Sequence, residues 1–175
     1  MRIRVDNIPE KGKRIEESID AAAAELDIPG YSLDEPLAFA GRAVRVAEDI
    51  HVNGRLKGAL ESQCGRCLNS FRMPLDLTLD VVFAPGEESA GEESENLELG
   101  PETSYYDGDS IELLREIKEL ILVNLPIKPV CRADCKGLCP QCGADLNTSP
   151  CRCEQSKGPS PFDKLRDLKF KLEGK

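Results

Sequence analysis

Eight cysteines in four short pairs constrain this chain more than any other feature. Cys64-Gly-Arg-Cys67 and Cys139-Pro-Gln-Cys142 carry two-residue spacers, Cys131 and Cys135 are four apart, and Cys151 and Cys153 are two apart. A two-residue spacer lets two thiolates converge on one metal while the intervening amides turn toward sulfur. Gly143, just after the third pair, supplies the permissive backbone of a tight knuckle. Eight ligands with no remainder make two four-thiolate sites the simplest count, hence one or two zinc ions. Zinc suits tetrahedral sulfur and needs no redox setting, although an iron–sulfur cluster accepts the same ligands. Cys139, Cys142, Cys151 and Cys153 are close enough in sequence to close one compact site. Cys64 and Cys67 could then meet Cys131 and Cys135 across the fold, though spacing alone leaves the pairing open.

Disulfides fit poorly. Residues 1–9 alternate charged and aliphatic side chains and contain no apolar core of a signal peptide. The expected address is the cytoplasm, where thiols stay reduced or bind metal. No apolar run reaches the length of a membrane helix. The formal charge of −9 over 175 residues disfavours a mainly electrostatic grip on nucleic acid or anionic membrane. It leaves room for a local basic face. From Cys131 onward there are nine basic and six acidic residues, so the basic excess travels with the cysteines.

The pattern predicts an α+β chain: an antiparallel β-rich domain, barrel-like or an open sheet, with packed helices and a cysteine-rich, zinc-bound C-terminal segment. Residues 1–5 suit a short strand. Residues 14–27, with an alanine run and several acids, suit a helix stopped by Pro29-Gly30. From residue 31 the pattern turns to strands. The cleanest run is Phe71, Met73, Leu75, Leu77, Leu79, Val81 and Phe83, which alternation puts on one face. Cys64 and Cys67 then sit at a connection between two antiparallel strands. Residues 85–104 hold seven glutamates and no basic residue, so they read as a solvated acidic insert that folding does not require. Residues 109–123 predict a helix, capped by Asp109 with Glu112 at the third position, and striped by Leu113, Leu114, Ile117, Leu120 and Ile121. Residues 161–172 suit a short terminal helix. The expected organisation is a strand domain at 1–84, the acidic insert at 85–108, and a helix plus zinc-binding tail at 109–175.

Catalysis has little support. A four-thiolate site offers no open metal position for water. Cys64 and Cys67 have redox spacing, but strands flank them instead of the βαβ setting of a thioredoxin-type motif. His51 is the single histidine and reads as a strand residue. No phosphate-cradling glycine loop is present. The chain is therefore expected not to be an enzyme and to take no small-molecule substrate.

The runs Glu61-Ser-Gln-Cys64-Gly-Arg-Cys67-Leu68 and Leu122-Val-Asn-Leu-Pro-Ile-Lys-Pro-Val-Cys131 resemble the DUF177 family. So does Asp134-Cys-Lys-Gly-Leu-Cys-Pro-Gln-Cys-Gly-Ala-Asp-Leu-Asn147 with Cys151-Arg-Cys153. These are the bacterial YceD-like proteins, named for large ribosomal RNA subunit accumulation. The resemblance implies a non-catalytic role in 23S ribosomal RNA accumulation and large-subunit biogenesis. Expected partners are ribosomal RNA, a large-subunit ribosomal protein or an assembly factor, and no membrane. Arg66, Arg72, Arg132, Lys136 and Arg152 lie near the cysteines in sequence and are candidate contacts to phosphate or to a partner. The competing readings are a small thiol-redox or metal-handling protein, and a structural interaction module unconnected with ribosomes.

Overall fold

The computed structural model describes residues 1–20, 28–86 and 102–153. The chain divides into two compact units, Met1–Cys135 and Lys136–Lys175. The first unit is built on strands. In chain order they are β1 (Arg2–Arg4), β2 (Lys13–Ile19), β3 (Tyr31–Ser32), β4 (Leu37–Val46), β5 (Asp49–Gln63), β6 (Ser70–Pro85), β7 (Glu102–Tyr106) and β8 (Ser110–Glu112). One helix, α1 (Leu113–Asn124), follows β8 among the described residues.

The main sheet is open and runs β2-β4-β5-β6-β7, with β3 also paired to β5. Its β2-β4, β4-β5 and β5-β6 pairs are antiparallel, as alternation predicts. Even-numbered residues of β5 and odd-numbered residues of β6 point inward. Ile50, Val52, Leu56 and Leu60 thus meet Leu75, Leu79, Val81 and Phe83 in one apolar core with α1. Gly41 and Gly54 face each other across the β4-β5 ladder. A Cβ on Gly54 would run into the Phe39 ring, which lies over this bare stretch of backbone. From α1, Leu113, Ile117 and Ile121 are buried, while Leu114 and Leu120 pack at the edge of the core.

Three local expectations need correction. Lys13–Ile19 is a strand paired with Leu37–Ala43, not the start of a helix. Ile15 and Ile19 are both buried. A four-residue interval satisfies the helical and the strand period alike, so the pattern did not discriminate. The remainder of that expected helix, residues 21–27, lies outside the described residues.

The helix begins at Leu113, and no side chain caps it. Ser110–Glu112 is instead drawn into a two-stranded ladder with β1, where Ile3 faces Ile111. Asp109 forms an ion pair with Arg4 at 3.2 Å. The main chain from 110 to 112 finds its partners in β1, so the helix loses its expected first turn.

The acidic stretch also does more than expected at its end. Glu102–Tyr106 forms β7, parallel to β6, with Val81 opposite Glu102 and Pro85 opposite Tyr106. A parallel neighbour requires a crossover of about a dozen residues or more, and the connection from β6 has that length. Residues 87–101 and the expected terminal helix at 161–172 lie outside the described residues.

Candidate metal centres

The β5-β6 hairpin ends in a knuckle. Cys64 follows β5, and the chain turns through Cys67 before β6 begins at Ser70. The Leu68 amide donates to the Cys64 carbonyl at 2.9 Å, and the Cys64 amide donates to the Asn69 carbonyl at 2.9 Å. The segment leaving α1 is laid against this turn by the Gly65 amide, which donates to the Pro129 carbonyl at 2.8 Å. That contact brings in Cys131 and Cys135. The four sulfurs of Cys64, Cys67, Cys131 and Cys135 all lie within 4.8 Å of one another. Cys64 Sγ is 3.9 Å from Cys135 Sγ, and Cys67 Sγ is 3.8 Å from Cys131 Sγ. This proximal cluster lies wholly within the first unit.

Cys139, Cys142, Cys151 and Cys153 form a distal cluster with the same spread, wholly within the second unit. Its knuckle repeats the proximal pattern. The Gly143 amide donates to the Cys139 carbonyl at 2.9 Å, and the Cys139 amide to the Ala144 carbonyl at 2.8 Å. Cys151 Sγ stands 3.3 Å from Cys139 Sγ and 3.7 Å from Cys142 Sγ. Asp145 and Asn147 tie the loop between the two halves. Asn147 Oδ1 accepts the Lys136 amide at 2.8 Å, and Asp145 Oδ1 accepts the Asn147 amide at 2.9 Å.

Both clusters fit a tetrahedral metal. A zinc–sulfur distance of about 2.3 Å requires sulfurs about 3.8 Å apart, close to most of the separations above and well beyond a disulfide bond. Backbone amides also turn toward sulfur. Cys64 Sγ accepts from Cys131 at 3.4 Å and from Arg66 at 3.5 Å, and Cys151 Sγ accepts from Cys153 at 3.2 Å. The Cys131 amide is the main reason that the Cys64 thiol is drawn down to about 6. Amides of Cys142 and Gln141 likewise draw Cys139 down to about 6. In the opposite direction, burial first, then neighbouring sulfurs, push Cys131 up to about 12. The Cys151 sulfur leads the causes that push Cys153 up to about 12. One thiolate in each cluster forms easily, and the last resists forming beside the others. A bound dication removes that conflict.

The two clusters differ in cover. Cys64, Cys67 and Cys135 are buried, whereas in the distal set only Cys139 is buried and Cys142 is exposed. The candidate contact residues are also unequal. Arg66 Nη1 donates to the carbonyls of Ala133 and Cys135 at 3.2 and 3.0 Å, so its guanidinium clasps the proximal loop. Arg72 lies on β6 in a paired contact with Glu35. Arg132 forms an ion pair with Asp134 at 3.4 Å. Lys136 and Arg152 are exposed in the second unit. Sequence reading missed the Pro129 carbonyl and the Asp145–Asn147 clasp. The Asp-x-Asn spacing, which favours local turns to backbone amides, was the available signal for the latter.

The family described as "Large ribosomal RNA subunit accumulation protein YceD" matches residues 52–169, which include every cysteine of both clusters. The chain belongs to the YceD family. Among curated relatives, an uncharacterized protein of Mycobacterium tuberculosis is 34% identical over 109 residues, covering 62% of this chain and 51% of its own. The Arabidopsis thaliana protein named "Large ribosomal RNA subunit accumulation protein YCED homolog 1, chloroplastic" is 25% identical over 174 residues, covering 85% of this chain and 54% of its own. Its Zea mays namesake is 24% identical over 165 residues, covering 77% and 56%. The chain thus spans about half the length of the curated relatives it matches. No solved structure matches it significantly. The YceD family is not a known enzyme family, and no helix among the described residues is long and apolar enough to cross a membrane.

Proposed function

We propose that this YceD-family chain is a non-catalytic factor supporting 23S ribosomal RNA accumulation and large-subunit biogenesis, with zinc held structurally at both centres. The observation that carries the zinc assignment is the pair of four-sulfur clusters at near-tetrahedral separations. The family and the names of the plant relatives support the process.

Bound at either centre, zinc would neutralise the thiolates and cross-link the chain segments that carry them. At the proximal centre, Cys64 and Cys67 hold the hairpin end while Cys131 and Cys135 hold the segment leaving α1. At the distal centre, all four ligands close one short loop. The chain's own residues supply the rest: amides that polarise toward sulfur, Arg66 on the loop carbonyls, and Asn147 on the Lys136 amide. Four sulfurs fill the metal, so the centres shape a surface and activate no water.

The contact belongs to the exposed basic residues flanking the centres, Arg132, Lys136 and Arg152, and is made in the cytoplasm with ribosomal RNA. A second reading has a specific basis. The sequence before Cys131 carries 14 basic and 26 acidic residues, which suits a basic large-subunit ribosomal protein better than phosphate. Native-salt capture of the full chain, with sequencing of bound RNA and identification of bound proteins, separates the two. On the RNA reading, Arg132→Ala, Lys136→Ala and Arg152→Ala together keep zinc and fold but lose large-subunit RNA. Recovery of a basic ribosomal protein, undiminished by the triple change and resistant to ribonuclease, would replace it with the protein reading.

A further inference from the structure

The two centres have the same ligand set but unequal cover. At the proximal centre, Cys64 is 0% exposed, Cys67 3% and Cys135 4%, with Cys131 half-buried, where the segment carrying Pro129 lies against the hairpin end. At the distal centre, Cys142 is exposed and Cys151 and Cys153 are half-buried. Reactivity of a metal-bound thiolate toward a dissolved oxidant depends on access to sulfur. Cys142 is the one exposed residue among the eight cysteines, and its neighbour Cys151 Sγ is 3.7 Å away.

The described part of the distal unit, residues 136–153, also buries few side chains. Among described residues 136–153, Cys139 is the only buried side chain other than hydrogen, and Leu138 and Leu146 are half-buried. Loss of the ion would remove the principal cross-link of the loop.

We infer that the distal centre is a site of thiol oxidation by peroxide, attacked at Cys142 and closed as a Cys142–Cys151 disulfide, while the proximal centre is protected. This rests on the zinc assignment above. The Cys142 sulfur attacks one peroxide oxygen, the O–O bond breaks, and the departing oxygen takes a proton and leaves as water. Cys151 Sγ then attacks the sulfur of the sulfenic acid formed on Cys142, and the S–O bond breaks. An S–S bond forms, and the hydroxyl takes a second proton to leave as a second water. Two thiolates lose two electrons, hydrogen peroxide gains two, and two protons are consumed. Zinc loses two of four ligands and dissociates. Thiol reductant with zinc reverses the change.

The test uses the full zinc-loaded chain. Zinc is counted first, then hydrogen peroxide is added while released zinc is read with a chromophoric chelator and disulfides are mapped by mass spectrometry. The expected result is two zinc ions at the start and biphasic release. The first ion leaves about tenfold or more faster than the second, with Cys142–Cys151 as the first disulfide. Cys142→Ser should remove the fast phase and leave the slow one. Zero zinc at the start overturns the zinc assignment, and this inference with it. Two zinc ions leaving at one rate, or proximal cysteines oxidising first, overturns this inference and leaves the zinc assignment standing.

Discussion

Leu68 and Gly143 occupy the same position in the two knuckles. Each follows the second cysteine of its pair, and each amide donates at 2.9 Å to the carbonyl of the first cysteine. Each backbone is left-handed, with φ of 60° at Leu68 and 73° at Gly143. Glycine adopts that conformation freely, whereas a residue with a Cβ is strained there by roughly 1–2 kcal/mol. The Leu68 side chain is 55% exposed and recovers little of this by burial.

Leu68→Gly should therefore leave stability unchanged or raise it by up to about 1 kcal/mol, the relief of strain being partly offset by the freer unfolded chain. Gly143→Ala should destabilise zinc retention in the distal loop by about 1–2 kcal/mol. Urea midpoints for the first and zinc competition for the second measure these shifts. A loss above about 1 kcal/mol for Leu68→Gly would mean that the leucine is packed.

The Phe39 ring lies where a Gly54 Cβ would need to be. Gly54→Ala should cost about 1–3 kcal/mol by overpacking a core in which Phe39 is 1% exposed. A chemical denaturation midpoint within error of the parent would contradict the packing described.

Glu116 of α1 is 5% exposed and takes the Ser104 hydroxyl at 2.9 Å, tying the helix to β7. Burial is the largest cause raising its pKa above the ordinary 4.5, while the Ser104 bond opposes the shift. The folded state thus favours the protonated acid. Its contribution is fully present below the unfolded pKa and is lost as pH rises through the folded value. Glu116→Gln should gain stability at pH 7 relative to the parent and flatten the decline that begins just above pH 4.5. Paired pH–stability curves check this, and parallel curves would sink it.

The connection before β7 has a minimum length. Val81 faces Glu102 and Pro85 faces Tyr106, so the chain must return along four rungs, about 13 Å, to start the parallel strand. Removing residues 87–101 entirely leaves too little chain to do so. That deletion should free β7 and remove protection from its amides in hydrogen exchange, while a variant retaining about twelve of those residues should keep it. Equal protection in both would contradict the parallel register.

The residues most legible in sequence were those governed by one strong rule. The alternation from Phe71 to Phe83 became β6, and the stripe from Leu113 to Ile121 became the buried face of α1. The four cysteine pairs come together in two groups of four, a pairing that spacing alone had left open. Where two rules agreed on the same residues, the reading failed. Ile15 and Ile19 suit either period, and only the partner β4 decides. Asp109 and Glu112 looked like a capping box, yet β1 claims the intervening backbone. The parallel placement of β7 depends on residues distant in sequence and left no local mark. The clasp of Arg66 on the Ala133 and Cys135 carbonyls was equally invisible, since main-chain acceptors carry no sequence signature.

Zinc stoichiometry tests the account most directly. Native mass spectrometry of the full chain, purified under reducing conditions without added metal, reads bound ions and free thiols together. Two zinc ions per chain are expected, falling to one in the Cys139→Ser, Cys142→Ser double variant. A folded chain carrying eight free thiols and no metal would contradict both centres.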